Sequence, residues 1–377
     1  MRTPITVLGA GFGGLELCTI LSETMSDEID VTLIDCSDAF VFGYSKLDVV
    51  FRGATPDAVR LPYRKFIKPG VRLVRETVAA IDPVTRRVTT NANAYDCDYL
   101  VVALGADYDF AATPGLAEGG DEFYTLDGAD RLRRRLSSFS KGRAIVGVAA
   151  APYKCPPAPS ECTLMLDDYL TAKGVRGACE ITMVLPLSSP VPPSPETSKA
   201  LMTAFAERDI AFMPNRSVAS LDPGRRIAVL DEGTELPYDL FLGVPKNCAP
   251  EVVKESGLAE NGWVPVNPRT LETKFPNVYA IGDIANTGTP KAGVFAEGAA
   301  KAVASALTSR IRGAGKDDLY SGAGTCYIEF GAGRIGRVDV DFFSGPKPTG
   351  TYHPPAVELR ADKERFGSSR RARWFGL

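Results

Sequence analysis

Residues 5–21, ITVLGAGFGGLELCTIL, constrain the fold more tightly than any other part of the chain. A short β-branched run ends at Gly9-x-Gly11-x-x-Gly14 and passes directly into an apolar helical pattern. A second buried strand, IDVTLID, follows and ends at Asp35, 21 residues past Gly14. Strand, glycine loop, helix, strand and acid in that order make the dinucleotide fingerprint in its full context, which a bare glycine triplet does not. Gly9 permits the tight turn, Gly11 lets the backbone approach a pyrophosphate, and Gly14 allows close helix–strand packing. With Phe12 and Gly13 the loop offers free N–H groups to phosphates at a helix N-terminus. Asp35 is placed to accept from a ribose hydroxyl.

At 377 residues the chain exceeds one ordinary domain and is expected to hold two or three. Its 43 basic and 46 acidic residues nearly cancel, which argues against a nucleic-acid partner. No run of 18 apolar residues suggests a membrane span. MRT leads straight into a strand-like PITVLGAG, leaving no room for a signal peptide, so a cytoplasmic protein is expected. The eight cysteines show no CxxC or zinc spacing, and His353 is the only histidine, so no metal site is expected. In a reducing compartment a cysteine pair that matters is more plausibly catalytic than structural.

Two later segments identify the nucleotide by resemblance. YDCDYLVVALGADY (95–108), with Ala103 and Gly105 in its turn, resembles the strand that crosses back under the adenine half in FAD enzymes of the disulfide-reductase type. PNVYAIGDIAN (276–286) resembles the second FAD motif of that superfamily, with Gly282 and Asp283 at the positions that meet the ribityl chain. The alanine-rich stretch that follows reads as a helix from about residue 292. In that superfamily it points its positive end at the pyrimidine edge of the flavin. The expected fold is therefore α/β, with two Rossmann-like domains of the disulfide-reductase type and a C-terminal α+β segment. Residues 1–110 and 230–310 are read as the FAD domain, 111–229 as a second Rossmann-like unit with a degenerate NAD site, and 311–377 as the C-terminal segment.

A flavin reductase that uses NADH repeats the glycine fingerprint in its second unit. Here that place reads VGVAAAP (146–152), with one glycine, and Pro152 and Pro156 remove two backbone donors. The next residues, PYKCPPAPSE (152–161), resemble the segment around the first redox cysteine of sulfide:quinone oxidoreductases and flavocytochrome c sulfide dehydrogenases. GTCYIEF (324–330) resembles the segment around the second, and PKAG (290–293) the loop that brings a lysine to the flavin. The resemblance implies a bridged pair, Cys155 and Cys326, on the flavin face left open by the missing nicotinamide. It also implies that sulfide attacks the bridge and that the freed thiolate, assigned to Cys326, passes two electrons to the flavin, with Lys291 making the site electropositive. Glu161 is a candidate proton carrier for a quinone or another acceptor. Cys162, beside Glu161, is a further thiol whose part the sequence leaves open.

Two other readings stay open from sequence: an NAD(P)H dehydrogenase with an atypical loop, and a flavin-binding protein without catalysis. The tail RFGSSRRARWFGL combines arginines with Phe366, Trp374, Phe375 and Leu377. It is read either as a peripheral membrane contact or as a segment packed on the flavin domain. A homodimer is also allowed.

Overall fold

Strands that run apolar on both faces belong in the middle of a layered α/β domain, where helices cover both sides of the sheet. The computed structural model, which describes residues 2–315 and 317–377, contains two such sheets. In the first, the parallel order is Val278–Ala280, Tyr99–Val102, Thr3–Leu8, Ile29–Asp35 and Val71–Arg75. Val7, Leu8, Leu33, Ile34, Val101 and Val102 are fully buried there. The second sheet repeats the plan as Asp121–Glu122, Leu240–Val244, Gly142–Val148, Cys179–Leu185 and Ile210–Pro214. Each unit also carries a three-stranded antiparallel meander: 78–96 in the first, 218–237 in the second.

The expected return to the first domain at residue 230 comes too early. Leu240–Val244 pairs in parallel with Gly142–Val148, so it belongs to the second sheet. The crossing back comes only after it, through Lys246–Cys248 paired with Asp107–Asp109. The reason is physical: YDLFLGV is equally apolar against either sheet, so its pattern does not report which neighbour it joins.

The long helix Gly293–Arg312 packs along the first helix, Phe12–Met25. Beyond it, Ala323–Glu329, Ile335–Asp341 and Thr349–Ala356 form an antiparallel sheet, followed by the helix Leu359–Arg370 and a last turn to Phe375. His353, expected in a loop, lies on the third of these strands, with Nε2 2.7 Å from Asp339 Oδ2. Among the described residues no helix is long and apolar enough to cross a membrane.

The tail is folded back. Trp374 is 1% exposed, edge-on to Phe12 and Phe40, and its Nε1 donates to Glu16 Oε2 at 2.8 Å. Arg373 Nε donates to the same carboxylate, and Arg370 forms a two-pronged pair with Glu297 at 2.6 and 2.7 Å. Glu16 and Glu297 sit on the two helices that pack together, so the tail clamps both. Of the residues proposed for membrane contact, Trp374 and Phe375 are buried against the domain; only Leu377 is substantially exposed.

Candidate active site

The glycine loop shapes a cavity of about 700 Å³, within the usual range for a bound cofactor. A side chain at Gly9 would place Cβ 2.3 Å from the Ala103 carbonyl oxygen, and one at Gly14 would lie 2.0 Å from the carbonyl of Gly9. Both glycines are there for backbone packing. Gly11 differs: a Cβ there would meet nothing within 4 Å, because it would point into the cavity. Asp35 accepts from the Ala10 N–H at 2.7 Å and from the Ser37 N–H at 2.8 Å, so it holds the loop as well as facing the cavity. Among the described residues no protein group hydrogen-bonds the Asp283 carboxylate, which also faces the cavity. A ligand hydroxyl fits that place.

These features fit a flavin dinucleotide, and they separate two glycine variants. Gly11→Val should lower bound flavin per chain while leaving the thermal midpoint of the cofactor-stripped protein unchanged. Gly14→Ala should cost about 1–3 kcal/mol through overpacking, with or without cofactor. Flavin absorbance per chain and thermal denaturation of stripped protein check both.

The other expected residues divide. Gly9, Gly11, Phe12, Gly13, Asp35, Ala103, Gly105, Cys155, Glu161, Gly282, Asp283 and Lys291 all line this one cavity. Gly14 is packed away beneath the loop, and Cys326 is not among the lining residues. Cys326 adds to the rise that burial imposes on the Cys155 thiol. Both are free thiols.

The second unit's loop explains how Cys155 gets there. After Gly142–Val148 the chain turns toward the first domain: the Lys154 N–H donates to Asn247 Oδ1 and the Cys155 N–H to the Lys291 carbonyl at 2.7 Å. Lys154 and Lys291 face each other across a short parallel bridge. The Cys155 carbonyl then accepts from Ala158 N at 2.8 Å as the helix Ala158–Ala172 begins. Cys155 itself has φ +51°, a left-handed conformation that a non-glycine residue adopts only when its surroundings impose it.

The Lys291 Nζ donates to the Asp283 carbonyl at 2.5 Å and sits 3.4 Å from the centre of the Trp263 ring. Burial brings that ammonium down to about 8, with Asp283 opposing. Lys363, from the C-terminal helix, opposes the rise of the Cys155 thiol. Burial pushes the Cys155 thiol far up, with Glu161 and Cys326 adding, and it pushes Cys326 up to about 12, with Glu161 and Asp339 adding. Cys162 is fully buried, is not among the residues lining the cavity, and burial raises its thiol well above its ordinary value.

Lys46 and Lys154 escaped the sequence reading. Lys154 Nζ donates to the Ala106 carbonyl at 2.6 Å and lies 4.1 Å over the Tyr108 ring. Lys46 faces the cavity, where burial and then Lys154 bring it down to about 8. With Lys291 they oppose the rise that burial imposes on Asp283. Lys154 stood in view inside PYKC; Lys46 carries no motif. Among the described residues no cluster could hold a metal ion.

A family model described as pyridine nucleotide-disulphide oxidoreductase matches residues 3–306. The mitochondrial sulfide:quinone oxidoreductase of Mus musculus is 26% identical over 368 residues, 92% of this chain and 79% of that protein. The X-ray structure of the sulfide:quinone oxidoreductase from Aquifex aeolicus is similar with a TM-score of 0.88 at 23% identity, covering 99% of this chain and 92% of that one. An NADH dehydrogenase-like protein of Mycobacterium tuberculosis is 37% identical, over 145 residues that make up 37% of this chain.

Proposed function

Since this chain belongs to the pyridine nucleotide-disulphide oxidoreductase family and is an FAD-dependent oxidoreductase, we propose that it oxidises sulfide through Cys155 and Cys326 and delivers the electrons to a quinone. The observation that carries this reading is the loop after Gly142–Val148. Where a nicotinamide nucleotide would need free backbone donors, the chain ties its N–H groups to Asn247 and Lys291 and presents a thiol to the cofactor cavity. The full-length likeness to sulfide:quinone oxidoreductases points the same way, whereas the likeness to the NADH dehydrogenase-like protein covers about a third of the chain.

In the resting form the two sulfurs are bridged, which removes their charge; burial that opposes a thiolate does not oppose a disulfide. Hydrosulfide attacks one sulfur, the S–S bond breaks, and the pair becomes a persulfide, which keeps the hydrosulfide proton, and a thiolate. The freed thiolate is the one assigned to Cys326, and the persulfide stays on Cys155. FAD, when bound, supplies the two-electron acceptor between sulfur and quinone. Gly11, Asp35 and Asp283 would hold it. The aromatic cluster of Phe12, Phe40 and Trp374 covers one flank of the glycine loop and excludes water there.

The test is anaerobic mixing of the FAD-loaded protein with sulfide, and separately with NADH and NADPH, following the flavin absorbance. Sulfide should bleach the flavin rapidly and quinone should restore it; either nucleotide should act far more slowly. Rapid stoichiometric bleaching by NADH or NADPH contradicts the reading and favours a pyridine-nucleotide dehydrogenase.

A further inference from the structure

Glu161 lines the cofactor cavity, and it also begins a row of buried charges that ends in a second cleft. Lys363 Nζ lies 3.6 Å from Glu161 Oε1 and 2.7 Å from Glu329 Oε1. Arg52 extends the row, 2.8 Å from Glu329 Oε2 and 2.8 Å from Asp48. Glu161 is 3% exposed and Glu329 2%. Arg52, Glu329 and Lys363 line a second cleft of about 470 Å³ that also has Asp48, Glu364 and Arg371 on its walls and shares Tyr44 with the cofactor cavity. Four segments distant in sequence converge to make this row: the helices Ser45–Arg52, Ala158–Ala172 and Leu359–Arg370, and the strand Ala323–Glu329.

Stability alone does not account for it. Buried ion pairs are often no better than apolar residues of the same volume, so the three covered charges Glu161, Lys363 and Glu329 are costly to keep for packing. The two carboxylates also divide one ammonium unequally. Burial raises Glu329, but Lys363 and Arg52 outweigh that and hold it below its ordinary value. Burial raises Glu161; Lys363, at the longer distance, opposes without cancelling the rise, and the charge of Glu329 adds to it. Glu161 is thus the one of the two carboxylates shifted toward its protonated form, and the Glu329 N–H, 3.1 Å away, fixes its position. The groups facing Glu161 are Cys155 and Cys162 from its own segment, Cys326 and Glu329 from the strand, and Lys363 from the C-terminal helix. Lys363 also faces Arg52 and, at 5.6 Å, the Tyr44 ring; Glu329 also faces Asp168.

We propose that Glu161, Lys363 and Glu329 form the path by which protons reach the cofactor cavity from the second cleft. The proposal rests on the sulfide:quinone reading, and proton balance requires such a path. Hydrosulfide, quinone and one proton give sulfane sulfur and quinol, so one proton per turnover comes from solvent. Glu161 releases its proton toward the acceptor, Lys363 passes one to the resulting carboxylate, and Glu329 returns one from the cleft to Lys363. Glu329 and Lys363 are positioning and relay residues; neither touches the sulfur.

The experiment bypasses sulfide. FAD-loaded enzyme reduced with dithionite is mixed with a short-chain ubiquinone from neutral to alkaline pH, in H₂O and in D₂O. In Glu329→Gln and Lys363→Gln, reoxidation should slow by about tenfold or more, the contribution expected of a lost proton-transfer group. The deficit should grow with pH as the raised Glu161 carboxyl loses its proton without resupply, and the solvent isotope effect should increase. Sulfide reduction of Glu329→Gln should stay close to wild type, and the infrared spectrum of the wild-type holoenzyme should show a protonated carboxyl that Glu161→Gln removes. If Glu329→Gln does not fold, Lys363→Gln carries the test. Reoxidation at the wild-type rate in a folded variant overturns the path, as does a slowing that ignores pH and D₂O. A wild-type enzyme that quinone cannot reoxidise contradicts the functional reading itself.

Discussion

Cys155→Ser is expected to abolish sulfide-dependent bleaching of the flavin, by on the order of a thousandfold, while FAD stays bound. Serine keeps the size and polarity of the side chain but can neither bridge to Cys326 nor carry a persulfide. The loop that presents it is held by backbone bonds to Lys291 and Ala158, which the substitution leaves intact. Cofactor retention is therefore not at risk, because the groups assigned to FAD lie on the other domain. Cys326→Ser should give the same loss, and the double variant should be no worse than either single one, since residues that act as a unit are not additive. Stopped-flow absorbance with sulfide, alongside flavin content per chain, reads both quantities. Near wild-type bleaching in Cys155→Ser would remove Cys155 from the mechanism.

Trp374→Ala should destabilise the protein by about 3–5 kcal/mol, the range for deleting a buried aromatic side chain. The indole packs on Phe12, which follows Gly11 in the cofactor loop, and on Phe40 and Phe42. Its N–H also serves a carboxylate, Glu16, that is nearly sealed from water, so the substitution leaves a buried acceptor short of one donor. Deleting residues 368–377 should be more damaging. It removes Arg370 and Arg373 as well, leaving the carboxylates of Glu297 and Glu16 buried and unpaired. Thermal denaturation of the FAD-loaded protein should show both losses, with faster release of flavin. A deletion that leaves the thermal midpoint unchanged would contradict the clamp and return the tail to a surface role.

The first domain was legible because several independent signals agreed. Gly9, Gly11, Gly14 and Asp35 have distinct physical duties: Gly9 turns at φ +97°, and Gly14 lies against the carbonyl of Gly9. The second Rossmann-like unit was legible through the resemblance although its glycine loop is degenerate; where the chain leaves that unit was not, since parallel strands read as similar apolar runs wherever they pair. Charge partners were hardest. Lys363 sits in ADKERFG, an ordinary polar helical stretch, and nothing local says that its ammonium reaches Glu161 from about 200 residues away. Glu16 interrupts an otherwise apolar first helix, and a carboxylate on a face that packs needs a buried donor; the RARWF tail supplies it. The same tail could be read as membrane-seeking because basic and aromatic residues serve both purposes, and only tertiary packing decides between them.

The most direct test is mass spectrometry of the oxidised, non-reduced protein after alkylation under denaturing conditions. The peptides containing Cys155 and Cys326 should be found linked, directly or through additional sulfur, while Cys18, Cys36 and Cys97 are alkylated as free thiols. Recovery of Cys155 and Cys326 as separately alkylated thiols from fully oxidised, FAD-loaded protein would contradict the pair and, with it, the proposed chemistry.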